Sequence, residues 1–145
     1  MEGDNTKTEK LRVGDKAPMA EVQKTKLLFG SKAEKGTYTL LSFWVSYDGA
    51  SRMQNAALSH AVATLPQLSM VSISLDQYAS VYNAVVKQDR LDTHTCYRAD
   101  NSESESLFRN YDLKNGFATY LIDHEGTIVA KNMAVKELIA FMKQA

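Results

Sequence analysis

The stretch YTLLSFWVSYDGASR, from Tyr38 to Arg52, decides the fold class. The segment Thr37 to Val45 is rich in β-branched and aromatic residues and almost continuous in apolar character, which is typical of a strand covered on both faces. From Ser51 the spacing becomes helical, because apolar residues recur about every four positions until Pro66 closes the segment. The stretch therefore predicts a buried central strand that turns directly into a helix.

The rest of the chain repeats this alternation of strand and helix. We predict a strand at Met70 to Leu75, a helix from Tyr78 to Val86, a short strand at Thr93 to Tyr97, a helix opened by a Ser102/Glu105 capping box and running through Tyr111, an antiparallel hairpin of Ala118 to Asp123 with Thr127 to Asn132, and a last helix at Val135 to Lys143. This order predicts an α/β fold, a three-layer α/β/α sandwich with a mixed central sheet and a C-terminal hairpin plus helix.

Composition limits the kinds of partner and compartment. The 145 residues, 44% of them hydrophobic, suit one domain, which we place at residues 11 to 145 after a polar tail or linker at residues 1 to 10. Seventeen basic and seventeen acidic residues cancel, so we expect no nucleic-acid partner. The apolar runs are too short for a transmembrane segment.

Four stretches of the chain together resemble one superfamily. They are VGDKAP at Val13 to Pro18, the Tyr38 to Arg52 segment, SISLD at Ser72 to Asp76, and TYLIDHEGTIVAKN at Thr119 to Asn132. They look like the thioredoxin-like proteins of the alkyl hydroperoxide reductase/thiol-specific antioxidant superfamily, and within it the extracytoplasmic thiol:disulfide oxidoreductases of the TlpA/ResA type. The resemblance implies a thioredoxin-like fold and a periplasmic or membrane-tethered location, with the polar tail as the spacer to a removed signal or lipid anchor.

The residues that carry the family's chemistry are replaced in this chain. On the family's FWAxWCxPCR elbow, Asp48 stands at the first cysteine, Ala50 at the proline and Ser51 at the second cysteine. Phe117 stands where the family has the cis-proline that faces the dithiol and the bound substrate chain. We expect a trans bond before Phe117, because a non-proline cis bond costs about 3 to 4 kcal/mol. Cys96 is the only cysteine, so this chain alone cannot form a dithiol.

An aspartate suits the start of a helix without any sulfur chemistry. The free N–H groups and the dipole of a helix N-terminus stabilise a negative charge, and a carboxylate cap there contributes about 1 kcal/mol. We therefore expect Asp48 to be a helix cap rather than a catalytic base. A hydrolase that used Ser51 would need a neutral nitrogen base beside it, and His60 lies about 13 Å further along the same helix.

Cys96 carries the alternative hypothesis. A lone cysteine in a strand is more often a small buried hydrophobe than a reactive thiol, but a one-cysteine peroxidase or thiol transferase would have to use it. His94 would lie on the same strand face as Cys96 and could be a second metal ligand. Two ligands do not complete a structural zinc site, and His124 is in a turn elsewhere. We expect neither a metal nor a cofactor.

The former active-site mouth is the candidate binding surface. The residues that we expect there are Trp44, Tyr47, Asp48, Ser51, Arg52 and Phe117. Aromatic groups left exposed at this face could hold a protein or peptide partner, whereas Trp44 and Phe117 could instead fill the core where the proline and thiols would pack. The leading interpretation is a non-catalytic binding or scaffold protein of the cell envelope. The alternative is a cell-redox or antioxidant enzyme that works through Cys96.

Overall fold

The computed structural model describes residues 11–30 and 34–145. The predicted tail at residues 1 to 10 lies outside the described residues. In chain order the elements are β1 Ala20–Val22, β2 Thr25–Leu27, β3 Tyr38–Trp44, α1 Gly49–Val62, β4 Leu68–Ser74, α2 Ala79–Gln88, β5 Cys96–Arg98, α3 Asn101–Asn110, a 3₁₀ turn Leu113–Asn115, β6 Thr119–Ile122, β7 Ile128–Lys131 and α4 Val135–Gln144.

The main sheet has five strands in the order β5-β4-β3-β6-β7. Strand β3 lies in the middle, parallel to β4 along its whole length and antiparallel to β6, so the predicted mixed sheet is confirmed. Its residues from Leu40 to Trp44 are all buried, because neighbouring strands cover both edges and helices cover both faces. The predicted C-terminal hairpin is also confirmed, since β6 and β7 pair antiparallel.

Alternate residues of β3 face two different hydrophobic cores. Leu41 and Phe43 point to the side covered by α3 and the N-terminal strands, where they pack with Tyr111 and Tyr120. Leu40 points to the opposite side, where Leu58 of α1 and Leu138 of α4 cover it, and Trp44 on that side packs against Val85 and Val86 of α2. The molecule is thus the predicted three-layer sandwich.

A small antiparallel hairpin, β1–β2, lies outside the predictions. Its turn residues Gln23 and Lys24 both have positive φ, at 51° and 64°. Their backbone N–H groups donate to the two carboxylate oxygens of Glu103 at 3.0 and 2.8 Å, and Oε1 also accepts the N–H of Asp100 at 3.0 Å. Glu103 therefore joins the hairpin to the first turn of α3, and it is only 8% exposed.

The same carboxylate explains why the predicted Ser102/Glu105 capping box is wrong. The N-cap residue is Asp100, which lies two residues before the predicted Ser102, and its side chain accepts the N–H of Glu103. The pairs Asp100/Glu103 and Ser102/Glu105 both have the spacing of a capping box. Only the first pair places its glutamate against the β1–β2 turn. Contacts with the β1–β2 turn therefore determine which of the two possible capping boxes forms.

Smaller shifts in other elements have local causes. The predicted strand at Thr93 to Tyr97 begins only at Cys96, because Asp92 accepts hydrogen bonds from His94 and Thr95 in a preceding turn. Helix α1 begins two residues before the predicted Ser51 and ends at Val62. Within residues 11–30 and 34–145, no helix has both the length and the apolar character needed to cross a membrane.

We expect Glu103→Gln to lower the free energy of unfolding by about 2 to 3 kcal/mol, because the amide presents one acceptor oxygen where the carboxylate accepts three backbone N–H groups with two. Urea unfolding followed by circular dichroism measures the change. The matched control is Glu105→Gln on the same helix, which is exposed and should change stability by less than about 0.5 kcal/mol. Equal effects of the two substitutions would contradict this role of Glu103.

Candidate functional site

The elbow between β3 and α1 is built around Asp48, which is the N-cap residue of α1. Its backbone is extended, with φ −100° and ψ 99°, and its Oδ1 accepts the N–H of Ser51 at 3.2 Å. The helix cap predicted from the sequence is confirmed. The carboxylate thus lies at the positive end of the helix, in the position that the resemblance assigns to a thiolate.

Ser51 has no free hydroxyl for nucleophilic chemistry. Its Oγ lies 3.1 Å from the carbonyl of Asp48 and 3.4 Å from that of Val45, and it accepts the N–H of Val45 at 3.3 Å. His60 is occupied elsewhere, since its Nε2 lies 3.1 Å from the carbonyl of Asp89. The elbow therefore lacks the base that a serine nucleophile would need.

A buried carboxylate, Asp76, holds the elbow in place. Its Oδ1 accepts both the backbone N–H of Ser46 at 2.9 Å and the Ser46 hydroxyl at 2.8 Å, while Oδ2 accepts the hydroxyl of Ser74 at 2.7 Å. Asp76 is 2% exposed and lies two residues after the end of β4. It therefore ties the chain after β3 to the end of the neighbouring strand.

A polar cleft of about 410 Å³ opens between the start of α1 and the segment before β6. Its side-chain walls include Asp48, Ser51, Gln54, Thr119 and Asn132, with Phe117 at one side. Gln54 Nε2 donates to the carbonyl of Met133 at 2.9 Å, and Asn132 Oδ1 accepts the N–H of Thr119 at 3.0 Å. These hydrogen bonds hold the polar walls in fixed positions, so the cleft is preformed.

A second, aromatic cleft of about 300 Å³ lies between the elbow and α3. It is lined by Val45, Tyr47, Leu75, Asn101, Ser104, Glu105, Phe108 and Phe117. Val45 is buried, whereas Tyr47 is 81% and Phe108 41% exposed. The cleft thus has an apolar floor and a rim of exposed aromatic side chains.

Phe117 contributes to both clefts and separates them. The described residues contain no cis peptide bond, so the predicted trans bond between Gly116 and Phe117 is confirmed. Gly116 has φ +134°, a conformation that side-chain-bearing residues rarely adopt. The glycine lets the chain turn so that Phe117, half-buried, stands between the two openings.

Two of the candidate binding residues do not belong to this surface. Trp44 is fully buried, and its Nε1 donates to Ser72 Oγ at 2.9 Å beneath α2, so it fills the core. Arg52 turns away from both clefts and makes a two-pronged ion pair with Asp89, at 2.9 Å from Nε and 2.8 Å from Nη2. This pair lowers the pKa of the Asp89 carboxyl and raises that of the guanidinium.

Cys96 is buried and does not present its thiol to solvent. It is 8% exposed in the core beside Trp44, and burial raises the pKa of its thiol. His94 precedes β5 rather than sharing its face, has a side chain that is 93% exposed, and contacts Asp92. The prediction that His94 lies on the same strand face as Cys96 is therefore wrong. In the part of the chain that the structure describes, no three His, Cys, Asp or Glu side chains come together as metal ligands would.

Several residues of the site are not predicted from the sequence. Asp76 enters the sequence prediction only as part of the stretch SISLD, although an acidic residue just beyond a buried strand is a usable signal. Phe108 carries another signal, because it is an exposed aromatic residue next to Leu107, the inward residue of α3. The sequence predicts Glu105 in a helix cap, and only the packing of α3 beside the elbow brings it to the aromatic cleft.

No protein-family model matches the sequence, and no curated protein matches it. Among solved structures, the crystal structure of a thioredoxin-like protein from Parabacteroides distasonis is 35% identical, with a TM-score of 0.83 over 94% of this chain and 98% of that one. The thioredoxin domain of a thiol-disulfide oxidoreductase from Bacteroides vulgatus (18% identity, TM-score 0.75, 92% and 97% covered) shares the fold.

A peroxiredoxin-like protein from Aquifex aeolicus also shares the fold, with 15% identity and a TM-score of 0.68 over 94% of this chain and 88% of that one. The similarity to the Parabacteroides distasonis protein extends over nearly the whole length of both chains. The predicted resemblance is thereby confirmed. The chain belongs to the thioredoxin-like proteins and has the fold of the thiol:disulfide oxidoreductases.

Proposed function

We propose that this chain is a binding or scaffold domain of the cell envelope that keeps the thioredoxin-like framework without dithiol chemistry. The observation that carries the proposal is the elbow, where Asp48 caps the helix and the Ser51 hydroxyl is engaged by backbone carbonyls. The resemblance assigns the family's two cysteines to these two positions. A carboxylate cannot attack a disulfide, because exchange requires a thiolate. The candidate ligand is an extended segment of a protein partner.

The two clefts beside Phe117 support a binding role. Tyr47 and Phe108 expose aromatic surface at the rim of the aromatic cleft, and such surface is enriched where proteins bind one another. The polar cleft adds fixed hydrogen-bonding groups on the other side of Phe117. A ligand lying across Phe117 would contact both kinds of surface.

The structure gives little support to an enzyme that works through Cys96. The thiol is buried, and its raised pKa reduces the thiolate fraction at neutral pH. The extracytoplasmic location is part of the proposal and rests on the resemblance to proteins of the TlpA/ResA type.

The double substitution Asp48→Cys and Ser51→Cys tests the alignment of the elbow. Asp48 and Ser51 are three residues apart at the start of one helix, and the Asp48 side chain reaches the Ser51 backbone N–H at 3.2 Å. We therefore expect the two new cysteines to be close enough for oxidant to close a disulfide. Thiol titration of the unfolded protein should count three thiols before oxidation, the two new ones and Cys96, and one afterwards. Reductase activity on insulin should stay weak, because Phe117 replaces the proline. If all three thiols persist in oxidant, the alignment is wrong.

Cys96 should resist hydrogen peroxide and glutathione disulfide in the folded protein at pH 7. Since burial raises its pKa, the reactive thiolate is scarce at neutral pH and reactivity should increase only as the pH rises into the alkaline range. Intact mass spectrometry measures the adduct, and the urea-unfolded chain is the positive control. Rapid modification of the folded protein at pH 7 would instead support the one-cysteine enzyme.

Binding is tested with reduced, carboxamidomethylated ribonuclease A, an unfolded basic chain, added to the isotope-labelled protein. We expect backbone chemical-shift changes concentrated at Tyr47, Phe108, Gly116 and Phe117. Phe117→Ala should weaken binding about tenfold, while Tyr78→Ala, which removes an exposed aromatic side chain that lines neither cleft, should not. Absence of shifts, or shifts confined to another surface, would refute the binding role.

A further inference from the structure

We propose that the aromatic cleft binds the side chain of a lysine or arginine within an extended segment of a protein partner. This inference deepens the proposed function and rests on it. Three properties of the cleft support it, namely its shape, the chemistry of its rim and its charge.

The shape of the cleft suits a long side chain with an apolar stem and a charged head. Val45, 1% exposed, and Leu75 form an apolar floor for the methylene groups. The exposed Glu105 stands among the lining residues and offers a carboxylate to a head group that stays near water. Lysine and arginine bury their stems in this way while the charge remains hydrated.

The rim has the composition of a cation site. Tyr47, Phe108 and Phe117 supply three aromatic rings to one cleft, and the faces of such rings attract ammonium and guanidinium groups. Of the residues that the structure describes, Glu105 is the one charged residue that lines this cleft. Rings and a carboxylate together favour a cation over a neutral side chain of the same length.

The charges that line the two clefts also favour a cationic ligand. Among residues 11–30 and 34–145, Asp48 is the one charged residue that lines the neighbouring polar cleft, and no lysine or arginine lines either cleft. The guanidinium of Arg98 is held by the carbonyls of Asp76 and Gln77, at 3.1 and 3.3 Å. An acidic segment would therefore meet like charges here, whereas a basic segment would meet opposite ones.

The carboxylate of Glu105 is available for such a ligand. Glu103, on the same helix, uses both of its oxygens on backbone N–H groups. Glu105 makes no side-chain hydrogen bond or ion pair with any residue in 11–30 or 34–145. The two glutamates thus have separate roles, one in holding the fold and one at the cleft.

The test uses short capped peptides of sequence SALXLAS, where X is lysine, arginine, norleucine or glutamate. Kd is measured by chemical-shift titration of the isotope-labelled protein at low salt. We expect lysine and arginine to bind about tenfold more tightly than norleucine, which keeps the stem and loses the charge, and glutamate to bind most weakly. Added salt should reduce the preference for the cations.

Glu105→Gln should reduce the preference for lysine over norleucine to about threefold or less. The matched control is Glu21→Gln, an exposed glutamate of β1 that lines neither cleft, and it should leave the preference unchanged. Retention of the full preference in Glu105→Gln would overturn the role of this carboxylate.

The outcomes separate this inference from the proposed function. If lysine and norleucine peptides bind equally at the cleft, the cation site is refuted and the binding role stands. The cation site is also refuted if no peptide shifts the cleft residues while unfolded ribonuclease A does. If neither ligand shifts them, the binding role itself fails. Concentration-dependent shifts of these residues in the protein alone, with dimers in sedimentation, would show a second copy as the occupant instead.

Discussion

The surface beside Phe117 depends on one buried interaction, the carboxylate of Asp76 against the chain that leaves β3. A carboxylate that is 2% exposed is costly to bury unless hydrogen bonds satisfy it, and here three hydrogen bonds do so. They fix Ser46, and with it the position from which Tyr47 and Asp48 project in different directions. The aromatic cleft and the polar cleft are therefore two consequences of one anchored turn, and their separation by Phe117 follows from the path of the chain after Gly116.

The helix that starts at the elbow keeps its electrostatic preference for an anion. Asp48 satisfies that preference through a hydrogen bond to the backbone of Ser51. The fold therefore remains complete at the position that the resemblance assigns to a cysteine, since the stability of a helix start requires an acceptor and not a sulfur atom. The fold at this position does not require the redox side chains. The similarity to oxidoreductase structures therefore identifies the fold, and the function must be inferred from the side chains.

The two acidic residues of α3 show how a small domain divides structural and binding roles within one turn of helix. Glu103 is enclosed by the β1–β2 turn, where the positive φ of Gln23 and Lys24 turns both N–H groups toward it. Glu105 lies beyond that contact and lines the aromatic cleft. A carboxylate with three backbone donors resists substitution because its loss leaves buried donors unpaired, whereas an exposed carboxylate can be replaced without unfolding the chain.

Much of the fold follows from local sequence, because apolar spacing alone separates the buried strand β3 from the amphipathic helices and places the closing hairpin. The identity of Asp48 as a helix cap and the absence of a second thiol are also properties of the sequence. The tertiary structure decided the contacts between residues distant in the chain, which the spacing of apolar residues does not specify. It chose Asp100 over Ser102 as a cap, turned Trp44 inward and paired Arg52 with Asp89, because each of these outcomes depends on a partner distant in the chain. The composition of the aromatic cleft is decided in the same way, since Tyr47, Phe108 and Phe117 meet only after α3 packs beside the elbow.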